Sequence, residues 1–359
     1  MSDEQSFLDE ISANPADDIP RLIYADWLEE RGDPRGEFIR VQCELAGLRK
    51  TQKRFAELRA REAALRAAHE ARWAQFFPYS LRKCVFRRGF VEECTVALSY
   101  FLRNSEKIMR LCPLRHVVFT QVKDKLPALA RCPALSRLQS VQLKQQNWPI
   151  DVNDFASSEF LSGVETIRGR WTSEGLIALS RSPYAATLKD LELDGYFSDE
   201  SIESLAEADH LKFRKLNLSI GLNVSAVRHI CRAGFARSLE ELNLNGVGIQ
   251  DRELIELVSS PVLSNLAVLR ATNVHATSGV RGEGLFALAS SPRLARIRTL
   301  VLSNHPLSYE SIIAIGESPY RASGAKFYFS SQRIGLDNHL TPAQVTEIQR
   351  RFGRTFGHF

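Results

Sequence analysis

The chain has no run of about 18 or more apolar residues, so it offers no candidate transmembrane helix. Its first ten residues, MSDEQSFLDE, are acidic and hold no basic stretch followed by an apolar one, so no secretory signal is expected. The six cysteines (Cys43, Cys84, Cys94, Cys112, Cys132, Cys231) form no Cys-x-x-Cys pair and no zinc-like spacing. In a chain of 359 residues they read as buried free thiols, which suits a reducing cytoplasm. Among eight histidines there is no His-x-x-x-His pair. Nor is there a Gly-x-Ser-x-Gly elbow, a Gly-rich phosphate loop with Lys, or a dinucleotide fingerprint. These absences point away from an enzyme, and no cofactor or metal is expected. What is present, 44% hydrophobic and 25% charged residues, is ordinary for a globular protein with a large core.

The net charge of +5 conceals a polarised layout. Residues 1–48 carry 4 basic and 12 acidic side chains, a net of −8, and residues 49–88 carry 12 basic and 3 acidic ones, a net of +9. The acidic segment contains "RLIYADWLEERGDPRGEFIRVQ" (21–42), which reads as two amphipathic helices. Asp18 can cap the first, Pro20 suits its first turn, and Ile19, Leu22, Ile23 and Trp27 would share its apolar side. Gly32 suits the left-handed position that ends it, and Asp33-Pro34 restarts the chain. Phe38, Val41, Leu45 and Leu48 then form a second stripe. A long basic helix over 51–77 should direct Phe55, Leu58, Leu65, Trp73 and Phe76 to a core, with Glu57–Arg61 and Glu62–Arg66 as i,i+4 pairs.

From about residue 82 to 330 the sequence repeats itself. "LKDLELDG", "FRKLNLSI", "LEELNLNG", "LAVLRATN" and "IRTLVLSN" share an apolar-x-x-apolar-x-apolar pattern, with weaker copies earlier. "GFVEECTV" (89–96) begins the series and "AKFYFS" (325–330) ends it. Taking Val117, Val141, Ile167, Leu191, Leu216, Leu242, Leu269 and Leu300 as equivalent gives steps of 24, 26, 24, 25, 26, 27 and 31. Pro133, Pro183, Pro261, Pro292 and Pro319 each lie eight residues before an equivalent apolar position. Each unit therefore reads as a short strand, a helix, and a proline-marked return. Thr341, Pro342 and Gln344 predict a capped terminal helix over 341–359 with Val345, Ile348 and Phe352 inward.

This pattern resembles the ribonuclease-inhibitor-like leucine-rich repeats. The resemblance implies an α/β solenoid over 79–340, a curved parallel sheet with outer helices, preceded by a small all-α module over 1–78. One position departs from it: the family's Asn/Cys after the strand is replaced by Gln146, Tyr196, Gly221, Val247, Val274 and His305, which predicts irregular turns. Residues 5–48 look like the bacterial repeat-companion domain, a resemblance that carries architecture and no activity.

Strand alternation places Gln142, Lys144, Arg168, Arg170, Asp190, Glu192, Asp194, Asn217, Glu241, Asn243 and Arg270 on the concave face, with Trp171 just beyond. A basic patch beside an acidic one suits an unidentified protein ligand, although each position could also be merely solvated. Asp26, Glu29 and Glu30 form a candidate N-terminal partner face, or meet the adjacent basic helix. Asp26 and Glu30, at i,i+4, could reach one divalent ion, yet no histidine lies nearby to complete a site. The tract 49–88, with Arg82, Lys83, Arg87 and Arg88, could bind nucleic acid or an acidic partner, or pair internally. An adaptor, in which the N-terminal hairpin recruits a second protein, is a further reading. No membrane association is expected.

Overall fold

The computed structural model describes residues 3–77, 83–144, 150–219, 224–273, 279–329 and 340–356. Arg82 of the basic patch lies outside the described residues. The chain divides into two compact units, Met1–Gln145 and Gln146–Phe359. Both are mixed α/β. Among the described residues, no helix is long and apolar enough to cross a membrane.

The first unit opens with four helices, α1 (Asp3–Ala13), α2 (Ile19–Glu29), α3 (Arg35–Gly47) and α4 (Lys53–Trp73). Gly32, at φ 68°, ends α2 in the left-handed region, and the N–H groups of Gly32 and Asp33 close on the carbonyls of Glu29 and Leu28. Asp33 Oδ1 then accepts the Arg35 N–H at 2.9 Å and starts α3. Asp18 does not cap α2; Asp17 Oδ1 takes the Ile19 N–H instead. The apolar side expected for α2 is also turned. Its buried residues are Arg21, Tyr24, Ala25 and Leu28, while Ile19 and Ile23 are exposed.

That rotation has a cause downstream. Strands β1 (Lys83–Arg87) and β2 (Phe90–Ala97) form an antiparallel hairpin. Arg88 and Gly89 turn it with φ values of 49° and 87°, as a two-residue hairpin turn requires. Phe90 enters one cluster with Leu8, Ile11, Tyr24, Ala25, Leu28, Ile39 and Cys43, so the helices close around a strand residue. On the other side of α3, Phe38 stacks on Trp73 at 4.6 Å and meets Phe86 edge-on at 5.6 Å. After β2 come α5 (Leu98–Leu111), β3 (His116–Thr120), α6 (Leu126–Ala130) and β4 (Ser140–Leu143); β2, β3 and β4 pair in parallel.

The second unit continues the alternation with α7 (Asn153–Ala156), β5 (Thr166–Arg170), α8 (Ser173–Arg181), β6 (Asp190–Asp194), α9 (Asp199–Ala206), β7 (Lys215–Ser219) and α10 (Ser225–Ile230). It proceeds through β8 (Glu241–Asn243), α11 (Asp251–Ser259), β9 (Val268–Arg270), α12 (Glu283–Ala289), β10 (Thr299–Val301), α13 (Tyr309–Glu317), β11 (Lys326–Tyr328) and α14 (Pro342–Phe352). Strands β5 to β11 pair in parallel in sequence order. The register aligns Ile167, Leu191, Leu216, Leu242, Leu269, Leu300 and Phe327, the apolar positions that the repeat spacing equates. Short 3-10 turns starting at Pro133, Pro183 and Pro292 lead into β4, β6 and β10. The predicted Thr341–Gln344 capping box is formed, and Phe356 packs on Phe327 and Phe329.

Where the Asn/Cys position is replaced, Gln146, Gly221 and Val274 lie outside the described residues. His305 fills that position and bridges two loops: its Nδ1 accepts the Val280 N–H at 3.0 Å, and its Nε2 lies 2.5 Å from the Ala271 carbonyl. Asn245 Oδ1 accepts the Thr272 N–H at 2.7 Å. Asp251 accepts the N–H groups of Arg281, Gly282 and Gly284 at 2.8–3.1 Å, so one repeat caps the helix of the next.

Candidate functional site

In β5 to β9 the apolar positions are buried and the alternating positions lie on the opposite face, as the inward–outward pattern of β6 shows. Five charged side chains of alternating sign join there across five adjacent strands. Arg168 reaches Glu192 at 3.1 Å, and Glu192 reaches Lys215 at 3.3 Å. Lys215 is 3.7 Å from Glu241, and Arg270 is 3.4 Å from Glu241. Burial raises the Glu192 pKa, but the hydrogen bond and charge of Arg168 and the charge of Lys215 outweigh it, holding the carboxyl below its usual value. Asp190 is drawn aside by Arg214 at 2.8 Å.

Half-exposed pairs of this kind each contribute only about 0–1 kcal/mol to stability. Their stronger effect is on geometry, since each carboxylate between two cations fixes the rotamers of both neighbours. Asn217 and Asn243 lie beside the chain of charges at neighbouring register positions, both half-buried. Arg170 and Asp194 are register neighbours at the exposed ends of β5 and β6, and among the described residues neither belongs to an ion pair.

Trp171 does not belong to this surface. It is wholly buried, meets Phe155 edge-on at 6.1 Å, and its carbonyl lies against Gly195, because the strand ends at Arg170 and the chain turns inward. Gln142, half-buried, and Lys144, exposed, belong to the first unit. Strand alternation also places Lys215 on this face; what sequence reading missed is its role as the link between Glu192 and Glu241. It sits at the same register position as Asp190 and Glu241, and that opposite-sign juxtaposition was the available signal.

The acidic and basic segments of the first unit are matched to each other. Arg54 pairs with Glu44 at 2.8 Å, Arg61 with Glu37 in a bidentate contact at 2.5 Å, Arg72 with Asp33 at 2.8 Å, and Arg88 with Asp18 at 2.6 Å. Arg87 approaches Glu93 at 3.5 Å, and Lys83 is exposed. The expected pairs Glu57–Arg61 and Glu62–Arg66 give way to Arg54–Glu57, Arg59–Glu62 and Arg66–Glu70, since Glu37 captures Arg61 and Gln42 holds Glu62 in the interior. Asp26 and Glu29 meet Arg40 of α3, not the long basic helix, because the α2–α3 hairpin brings Arg40 nearer. Glu30 stays exposed, 3.7 Å from Arg31.

All six cysteines are buried and free, and burial pushes the Cys43 and Cys112 thiols up to about 12. Among the described residues, no three His, Cys, Asp or Glu side chains converge on a metal position.

No family model matches this chain, and no curated protein matches it. Among solved structures, a crystal structure of a Bacteroides fragilis protein is similar over 68% of each chain, at 11% identity and a TM-score of 0.41, too loose a likeness to carry an argument.

Proposed function

We propose that this protein is a non-catalytic, cytoplasmic leucine-rich-repeat scaffold of bacterial type, headed by a repeat-companion module. Its strand face in the second unit binds a protein ligand. The observation that carries the reading is the alternating Arg168–Glu192–Lys215–Glu241–Arg270 chain, held on five consecutive strands. Such a surface is rigid and of mixed sign, and it adds little to stability, which makes recognition the better account of it. Arg170, Asp194, Asn217 and Asn243 extend it with polar groups that a protein surface can pair. A stable complex of ordinary size would cover about 800 Å² of this chain. The six buried thiols support a reducing compartment.

The nucleic-acid reading of 49–88 is weakened where Arg54, Arg61, Arg72 and Arg88 are tied to carboxylates of the same unit. Affinity capture from the native host tests the scaffold reading. A folded variant with Arg168, Arg170, Asp190 and Glu192 reversed in charge should lose a partner that the unaltered chain retains. An unchanged set of captured proteins would remove the strand face from consideration.

A further inference from the structure

The first unit holds a cavity of about 430 Å³ between α1, α2, the start of α3, the end of α4, and α5. That volume lies within the range of small-ligand sites, roughly 300–1,000 Å³. Its charges do not balance. Three cations, Arg35, Arg72 and Lys107, face two carboxylates, Glu4 and Asp33. Asp33 pairs with Arg72 at 2.8 Å, and Glu4 accepts the Tyr24 hydroxyl proton at 2.9 Å.

Arg35 is left without a counter-ion. Its Nε makes one long hydrogen bond, 3.4 Å, to the Gly89 carbonyl, and its guanidinium lies 4.6 Å from the Phe90 ring centre. No carboxylate among the described residues comes within ion-pair distance of it. The other residues of this unit, Met1, Ser2, 78–82 and Gln145, include no acidic side chain. Burial lowers the Arg35 pKa from its ordinary value, with Tyr24 and Asp33 acting against that. The Arg35 guanidinium is only partly covered and has no carboxylate beside it, and the cavity it faces offers room for an anion.

We propose that this cavity binds a small organic carboxylate. Arg35 grips the anionic group, Lys107 assists from the rim, and the apolar body lies against the half-buried Phe76 and Leu111. The lining has a net charge of +1, which one monoanion neutralises. The planar guanidinium matches a carboxylate through two parallel hydrogen bonds, and Phe76 and Leu111 give an organic body apolar surface that an inorganic ion could not use.

Calorimetry on the full chain with benzoate and phenylacetate tests this, with benzamide as the neutral isostere and inorganic phosphate as the competing anion. The carboxylates should bind and raise the melting temperature, and benzamide should not. Arg35→Met should weaken carboxylate binding by about tenfold or more, the loss of a charge-assisted contact. Lys107→Met, on an exposed helix position where folding is safe, should weaken it by a few-fold. Failure of both carboxylates to bind at millimolar concentration overturns the proposal. So does equal binding of benzamide, tighter binding of phosphate, or an affinity unchanged in both variants.

Discussion

Arg21 shows how one residue can redirect an element. Its guanidinium is wholly buried, 2.7 Å from Glu92 on β2, and also donates to the carbonyls of Pro15 and Arg88. Burial lowers the Arg21 pKa and raises that of Glu92, and their mutual attraction opposes both shifts. Arg21→Met should destabilise the chain by about 3–5 kcal/mol by stranding a buried carboxylate, whereas Arg21→Met with Glu92→Leu should recover most of the loss. Urea unfolding of the three proteins checks this, and additive losses would show that the pair is not the source. Nothing in the α2 sequence flags Arg21 as an inward residue, since its partner lies 71 positions away and only the fold brings the two together.

His305 carries a pH dependence of defined sign. Burial lowers its pKa from the ordinary 6.5 to about 4, although the Ala271 carbonyl and Asp251 pull the other way. Because Nδ1 accepts the Val280 N–H, the folded state holds the neutral ring with its proton on Nε2. Between those values the unfolded chain binds the extra proton, so stability is complete above pH 6.5 and falls as pH drops towards 4. The slope should approach about 1.4 kcal/mol per pH unit, for a total on the order of 3 kcal/mol. His305→Asn should flatten this part of the profile in denaturation series from pH 7.5 to 4.5. A profile that the substitution leaves unaltered would contradict the assignment.

At the scale of elements, the repeats were legible because spacing and alternation are local properties. The equivalence of Ile167, Leu191, Leu216, Leu242, Leu269 and Leu300 in sequence is their pairing register in the sheet. The stitching of the loops was not legible, because Asp251 and His305 act on backbone N–H groups 25–33 residues distant in a neighbouring repeat. Asp251→Ala should cost about 2–4 kcal/mol by releasing three N–H groups from one carboxylate, and Asp251→Asn less. Equal and small losses for both substitutions would mean that the cross-repeat cap is not formed. The hairpin of β1 and β2 was hidden for a different reason: the Arg88-Gly89 turn marks it only once both residues are known to take positive φ.

At the scale of the whole molecule, part of the polarised charge of residues 1–88 resolves into pairing within one unit, as Arg54, Arg61, Arg72 and Arg88 meet carboxylates there. Only the sum of each segment is visible in sequence; which arginine meets which carboxylate depends on how α2, α3 and α4 pack. The unaltered chain should therefore bind duplex DNA weakly at low salt, and Asp33→Asn, Glu37→Gln and Glu44→Gln together should strengthen that binding by freeing Arg72, Arg61 and Arg54. Fluorescence anisotropy checks this, and strong salt-sensitive binding by the unaltered chain would revive the nucleic-acid reading.

The strand face of the second unit remains the central claim, and an exchange of charge tests it most directly. Arg168→Glu with Glu192→Arg keeps an ion pair between β5 and β6, gives up the half-exposed Glu192–Lys215 contact, worth about 0–1 kcal/mol, and inverts what the pair presents outward. With a partner captured by the unaltered chain, the account predicts a melting temperature close to the original and an affinity lower by about tenfold or more. Unchanged affinity in this folded exchange variant would contradict it.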